Sequence, residues 1–211
     1  MTIATYAQLQ SAISAWLLRE STDLVVTAGK VQEYITLCET ELNRELKVRE
    51  LEEDAAVVTV ASTAYAALPT DFARVSDFYH DDAPYEINWI PTKGEIKRKW
   101  GTASGRPTDY TIWGANLYFG KLPDAVYNLT LDYYKTITPL SDSATTNEIF
   151  PKYADLYLYG SLRQACMHIK NQAFGEMVGT NYAGIIERIK DANIASKLAS
   201  TARAVTRKRL A

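Results

Sequence analysis

Residues 105–135, GRPTDYTIWGANLYFGKLPDAVYNLTLDYYK, decide the fold of this chain. Their last part alternates aliphatic or aromatic residues at 127, 129, 131 and 133 with mostly polar residues, which predicts a β-strand with one buried face. Two shorter β-prone runs, 110–113 and 116–119, meet at Gly114-Ala115, and this spacing predicts a tight hairpin. A turn at 122–125, LPDA, leads into the last strand. We therefore predict a three-stranded antiparallel meander.

The composition is that of a chain with a substantial core. Of its 211 residues, 47% are hydrophobic and 23% are charged, which suits one domain, or a domain with a large insertion, and excludes a disordered chain. The net charge of -2 argues against a protein that coats nucleic acid.

No apolar run approaches the ~18 residues of a membrane span, and MTIATYAQLQ lacks the organisation of a signal peptide. Cys38 and Cys166 fall on apolar helical positions, which predicts two buried free thiols in a reducing compartment.

Two helices are predicted at each end of the chain, where apolar residues recur at spacings of three and four. They lie near 5–19, 25–48, 150–169 and 172–198. The first opens on a capping box formed by Thr5 and Gln8. In the second, Glu39 and Glu41 are assigned to the polar face. The apolar surface of the third is broader than one face needs, which predicts a central helix or one that touches a second subunit.

Between these helices the hydrophobic period changes from 3.6 to 2. Residues 54–137 predict several short strands, among them 56–60, 75–80 and 85–90, and one small helix that opens on a capping box of Thr92 and Glu95. The predicted fold class is therefore α+β: an α-helical bundle of two N-terminal and two C-terminal helices with an inserted antiparallel β domain. The predicted domains are a bundle of 1–50 and 140–200, a β domain of 51–139 with one short helix, and a basic C-terminal arm of 201–211.

Candidate catalytic and metal-binding residues are few. His80 and His168 are the only histidines, and neither has a metal-ligand spacing. There is no phosphate-binding Gly loop and no Gly-x-Ser-x-Gly elbow. An acidic run could supply paired carboxylates or a calcium loop: Asp77, Asp81, Asp82 and Glu86. Its spacing does not match an EF-hand, so an ordinary acidic turn is favoured. We therefore expect no enzyme activity, no catalytic residue, no metal and no cofactor.

Aromatic residues of the β domain could stack on sugars or bases, since the chain has 14 tyrosines. Single-strand binding also needs a basic groove, and the only basic cluster near these aromatics is on the small helix. It consists of Lys93, Lys97, Arg98 and Lys99. A solvated helix face is the favoured interpretation of this cluster.

The C-terminal segment is basic, because no acidic residue follows Asp191 whereas five cations do. It could be a frayed terminus kept soluble by charge, a DNA contact, or an arm that inserts into an acidic groove of a protein partner. The acidic remainder of the chain favours the protein partner, since it would repel DNA. Apolar content thins after Ile189, so we predict that 201–211 is mobile in the free subunit and ordered on the partner. The predicted interface residues are Arg203, Val205, Arg207, Lys208, Arg209 and Leu210.

Several segments, taken in order, resemble the head-to-tail adaptor proteins (connector or neck proteins) of tailed bacteriophages. They are MTIATYAQL at 1–9, LPTDF at 68–72, GRP at 105–107 with YTIWG at 110–114, LDYYK at 131–135 and ADLYLYG at 154–160. The resemblance extends from Met1 to about Lys190. It implies a helical bundle with an inserted β domain, as the periodicities also predict.

The resemblance implies a structural role at the head–tail interface of a virion assembled in the host cytoplasm. It implies a homo-oligomeric ring of about twelve copies, a dodecamer, docked beneath the portal protein. The ring would extend the DNA channel towards a downstream tail or nozzle protein, with genomic DNA passing through without sequence-specific binding, and the C-terminal arm would reach into the portal. Two alternatives stay open: a nucleic-acid-binding accessory protein that uses the basic tail, and a glycan-binding virion module that uses the aromatic sheet.

Overall fold

A computed structural model describes the backbone of residues 3–20, 28–82 and 86–209, with side chains in 3–17, 29–82 and 86–197. The chain divides into two compact units. The helical unit consists of Met1–Leu51 and Ile137–Ala211, and the β unit consists of Glu52–Thr136. With helices in one unit and mostly antiparallel strands in the other, the fold class is α+β, as predicted.

Five α-helices lie within the described residues. In chain order they are α1 (Tyr6–Glu20), α2 (Ala28–Glu45), α3 (Lys93–Trp100), α4 (Ala154–Ile169) and α5 (Gln172–Arg209), and a short 3-10 helix covers Arg49–Leu51. Both helices begin where the predicted capping boxes place them, and each shows the N-cap hydrogen bond: Thr5 Oγ1 accepts from the Gln8 amide at 3.4 Å and Thr92 Oγ1 accepts from the Glu95 amide at 3.2 Å. α2 ends short of the predicted position 48, and α5 continues far beyond the predicted position 198.

α4 is the central helix of the helical unit, as its broad apolar surface predicts. It packs against α1, α2 and α5, and its buried residues include Tyr157, Ser161 and Leu162. Gly160 lets α2 approach closely, since a Cβ there would clash with Sγ of Cys38 and lie 3.0 Å from Cε2 of Tyr182. Cys38 and Cys166 are both buried free thiols, which confirms that prediction.

Seven strands form two sheets in the β unit. They are β1 (Glu52–Val58), β2 (Tyr65–Ala67), β3 (Phe72–His80), β4 (Asn88–Trp89), β5 (Asp109–Trp113), β6 (Asn116–Phe119) and β7 (Asn128–Lys135). Sheet A has the order β1-β7-β3, and sheet B has the order β2-β6-β5-β4. β4 and β5 pair in parallel, whereas the other named pairs are antiparallel. The predicted strand 85–90 is reduced to β4, and Tyr85 lies outside the described residues.

The predicted meander is only partly correct. β5 and β6 form the predicted hairpin, with Trp113 opposite Asn116 and with φ +60° at Gly114, the first loop residue, as a type II′ turn requires. β7 does not join them and pairs instead with β1 and β3 in sheet A. After β6 the chain turns away towards residues 103–105. There the Leu122 amide donates to the Ala103 carbonyl at 3.0 Å, and the Gly105 amide donates to the Leu122 carbonyl at 2.9 Å. Alternation along β7 revealed a buried face but could not identify the neighbouring strands.

The core of the β unit lies between the two sheets. One cluster of buried side chains combines residues of both: Val57, Phe78, Ile87, Tyr110, Leu117, Phe119, Leu129, Leu131 and Tyr133. The rings of Phe78 in sheet A and Tyr110 in sheet B meet edge to face, with centroids 5.1 Å apart. The other face of each sheet therefore points away from this core, on opposite sides of the β unit.

Candidate interaction surfaces

The predicted partner residues lie at the end of α5. Five of these residues belong to α5, which ends at Arg209, so the backbone of this part of the predicted arm is helical. The side chains of Arg203, Val205, Arg207, Lys208 and Arg209 lie outside the described residues, and so does the whole of Leu210. The expectation that this segment orders on a partner stays a prediction.

The acidic run contributes side chains with local structural partners. Asp81 accepts a hydrogen bond from Thr130 Oγ1 at 2.6 Å, and Asp82 lies 3.9 Å from the Arg106 guanidinium. Asp77 accepts from the Phe78 amide at 2.7 Å, and Glu86 forms an isolated bridge with Tyr79. In the part of the chain that the structure describes, no three His, Cys, Asp or Glu residues are placed to hold a metal ion. No helix in that part is long and apolar enough to cross a bilayer.

The outer surface of sheet A is acidic. The register places Asp132 of β7 directly opposite Asp54 of β1 on one side and Asp77 of β3 on the other. The three carboxylates therefore form a row across the sheet, flanked along the strands by Glu52 and Asp81. We call these five residues the acidic face.

Like charges directly opposite each other destabilise a sheet. The pKa of Asp132 shows the effect, because burial raises it and the neighbouring charges of Asp77, Asp54 and Glu52 raise it further. Sheet A also contains Arg74, but this cation lies opposite Tyr134 and not opposite an aspartate of the row. The alternation along β7 is visible in the sequence, but its partner strands are not. The first strand is predicted at 56–60, whereas β1 covers Glu52–Val58, so the prediction leaves out Asp54 and misses the row.

α3 covers part of the outer surface of sheet B and is fixed there by one buried carboxylate. Asp109 of β5 accepts from Lys99 Nζ and Trp100 Nε1, each at 2.8 Å, and from Thr108 Oγ1 at 2.9 Å. Burial acts to raise the pKa of Asp109, but these hydrogen bonds outweigh it and the pKa is lowered. Gly120 makes room for the Trp100 indole, since a Cβ there would lie 2.8 Å from it.

The hydrogen bonds of Asp109 with Lys99 and Trp100 leave the basic side of α3 on the surface. Lys97 and Arg98 are exposed, Lys93 Nζ lies 3.6 Å from the ring centroid of Tyr118, and Lys121 Nζ lies 4.5 Å from that of Trp100. We call Lys93, Lys97, Arg98 and Lys121 the basic face. The predicted solvated helix face is correct for Lys97 and Arg98, but Lys99 binds a buried partner that the sequence analysis did not identify.

His80 is a structural residue of the β unit. Its buried ring accepts from Arg106 Nε at Nδ1, 3.2 Å away, so the proton is on Nε2, which donates to the Pro107 carbonyl at 2.7 Å. The Arg106 guanidinium also lies 5.6 Å from the ring centroid of Tyr127. The GRP segment at 105–107 is therefore fixed to β3 through His80.

Two polar residues of α2 hold the chain where it re-enters the helical unit. Glu39 accepts from the Leu140 amide at 2.9 Å, and Asn43 accepts from the Ile137 amide at 2.8 Å. Glu39 is buried and does not lie on a solvated polar face, so its predicted placement is wrong. Its burial raises the pKa of the carboxyl to about 7. The hydrophobic periodicity of α2 could not reveal the burial of Glu39, because its partner is an irregular segment 101 residues away in the sequence.

Glu41 connects α2 with α4. It forms an ion pair with Arg163 and accepts from Gln164 Nε2 at 3.1 Å. The Arg163 guanidinium lies 4.7 Å from the ring centroid of Tyr182 on α5. His168 is exposed near the end of α4, with Nδ1 2.5 Å from the Tyr34 hydroxyl.

Comparison with known proteins extends over both units. A family model described as SU10 adaptor protein matches residues 4–208. No curated protein matches the chain. The matched range includes all seven strands and nearly all of α5.

Proposed function

The chain belongs to the SU10 adaptor protein family, which makes it a phage head-to-tail adaptor, and we propose on this premise that it forms a ring beneath the portal protein. The ring contains about twelve copies, extends the DNA channel and joins the capsid to a downstream tail or nozzle protein. Assembly takes place in the host cytoplasm, and DNA passes through the channel without sequence-specific binding. The observation that carries the proposal is the family match over residues 4–208.

The basic end of α5 is the proposed portal contact. Its cations, among them Arg203, Arg207 and Arg209, suit an acidic groove, because guanidinium groups bind carboxylates with paired hydrogen bonds. Val205 and Leu210 would add small apolar contacts. Arms held side by side in a ring raise one another's effective concentration, so individually weak contacts together hold firmly.

The proposed role is structural and not enzymatic. Among the described residues, the buried acidic and histidine side chains have structural partners. Asp109 fixes α3, Glu39 holds the segment that re-enters the helical unit, and His80 fixes the GRP segment. These contacts account for their burial without a reaction, a metal or a cofactor.

The proposal is tested by size-exclusion chromatography with light scattering, with and without purified portal rings. We expect a monomer or a weakly associated chain alone and a large complex of defined mass on the portal. If instead the chain ignores the portal but binds DNA with a steep salt dependence, the nucleic-acid accessory function is correct. Binding to glycans alone, through the aromatic residues of sheet B, would favour the glycan-binding module.

A further inference from the structure

The two outer faces of the β unit carry opposite charge. Sheets A and B share one core, so the acidic face on sheet A and the basic face around α3 point in opposite directions. The acidic face carries Glu52, Asp54, Asp77, Asp81 and Asp132. The basic face carries Lys93, Lys97, Arg98 and Lys121, and Glu95 of the same helix lies 3.8 Å from Arg98.

Within the described residues, ion pairs do not neutralise the row of aspartates, because none of them involves Asp54, Asp77 or Asp132. Aligned carboxylates on three adjacent strands repel one another and lower the stability of the free unit. Cations supplied from outside the subunit would relieve this repulsion.

The basic face has the composition of a protein contact. The register places Tyr65 opposite Tyr118 and Trp113 at the end of the same outer surface of sheet B. Tyr65 and Trp113 are 50% and 61% exposed, although both are large aromatic residues. Exposed Tyr, Trp and Arg side chains are enriched at interface centres, and charged Lys side chains suit the polar rim around such a centre. On the acidic side, Val58 is an exposed apolar residue at the end of β1.

We propose that the acidic face of one copy docks on the basic face of the next copy around the ring. This inference rests on the proposed function, because it names the surfaces through which that ring closes. The occupant is a second copy since the same unit carries both halves of a complementary pair, facing opposite ways, which is the arrangement of a head-to-tail interface. A two-fold pairing of identical faces would instead bring like charges together.

Charge exchange tests the pairing. In one variant, D54K/D77K/D132K, lysines replace the whole row of aspartates and the acidic face becomes basic, and in the other, K97E/R98E, the basic face becomes acidic. We expect each variant alone to raise the concentration for half-maximal ring assembly on purified portal at least about tenfold. An equimolar mixture should restore assembly, because each altered face then meets its complement. K30E/K170E, which reverses two exposed cations of the helical unit, should assemble like the parent.

Several results would overturn the inference. They include normal assembly of both variants, failure of the mixture to assemble although each variant gives a native circular dichroism spectrum, and loss of DNA binding by K97E/R98E as its only defect. If removal of residues 201–211 and the charge reversal of the acidic face each stop subunits from associating while K97E/R98E associates normally, the acidic face binds the C-terminal segment instead. If the parent chain itself forms no ring on the portal, the proposed function fails as well, so the two failures are distinguishable.

A conservative variant gives a second readout that does not depend on charge reversal. D132N keeps the shape of the side chain and removes the central charge of the row. We expect the free subunit to unfold at a higher temperature and ring assembly to weaken. A variant that is less stable than the parent, or one that assembles equally well, would contradict the proposal.

Discussion

At the scale of single residues, buried polar side chains fix the segments that hydrophobic contacts alone would not position. Asp109 holds α3 on sheet B, Glu39 holds residues 137–140 on α2, and His80 holds the GRP segment. Each is paired through hydrogen bonds, as a buried polar group must be if it is not to destabilise the fold. Each connects its own helix or strand with a different segment, which is why the partners could not be predicted from local patterns.

The D109N variant should lose the carboxylate that Lys99 and Trp100 bind. We expect the free energy of unfolding to fall by about 2 kcal/mol at neutral pH, since hydrogen bonds to a buried charged group contribute on that scale. Because the pKa of Asp109 is lowered in the folded chain, its contribution is present above its unfolded pKa and is lost as the pH falls through its folded pKa. Urea unfolding measures both effects. Unfolding curves that coincide for D109N and the parent would show that α3 is fixed by other contacts.

The pKa of Glu39 is raised to about 7, so its contribution has the opposite pH dependence. The folded state keeps the proton in a range where the unfolded state has lost it. Stability therefore decreases as the pH rises from about 4 to about 7, by up to about 3 kcal/mol, and then levels off. E39Q still offers an acceptor to Leu140 and should flatten this dependence. The same slope between pH 5 and 8 in E39Q and the parent would assign it to another group.

At the scale of elements, local signals in the sequence were sufficient wherever a few adjacent residues determine the structure. The helix starts at Thr5 and Thr92 and the hairpin at Gly114 are predicted correctly, because their contacts lie within one turn. β7 was assigned to the wrong sheet because strand pairing depends on residues from Glu52 to His80, which alternation within β7 does not reveal. The predicted end of α5, near 198, is too early. Apolar periodicity indicates which part of a helix is buried, whereas this helix continues through a polar sequence to Arg209.

Two glycine substitutions separate close helix packing from helix propensity. In G160A the added methyl would clash with Cys38, so we expect a loss of about 1–3 kcal/mol. In G179A the nearest atom is Cδ of Arg163 at 4.0 Å, so the variant should gain about 0.5–1 kcal/mol from the better helix former. Thermal unfolding compares the two. Equal effects at both positions would mean that α2 and α4 do not meet closely at Gly160.

At the scale of the whole molecule, the two units are assigned different tasks. The end of α5 in the helical unit is the proposed portal contact, and the β unit carries the two charged faces proposed to join neighbouring copies. The family assignment covers both units, since residues 4–208 match. The partner surfaces could not be deduced from the sequence, because the charged residues that lie side by side are known only when the register of the neighbouring strands is known.

Removal of residues 201–211 should weaken docking on the portal while the folded subunit remains stable. The expected loss is large, because each copy in the ring would lose its arm and with it the cooperative gain in effective concentration. A matched variant, R203Q/R207Q/K208Q/R209Q, keeps the length and removes only the charge. Sedimentation with portal rings measures docking. Equal docking by all three chains would mean that the basic end only keeps the chain soluble.

Electron cryomicroscopy of purified portal rings mixed with the chain tests the central claim most directly. We expect a second ring of about twelve copies beneath the portal, coaxial with its channel, with the end of α5 in contact with portal density. Portal rings that remain bare at saturating concentrations of folded chain would contradict the account.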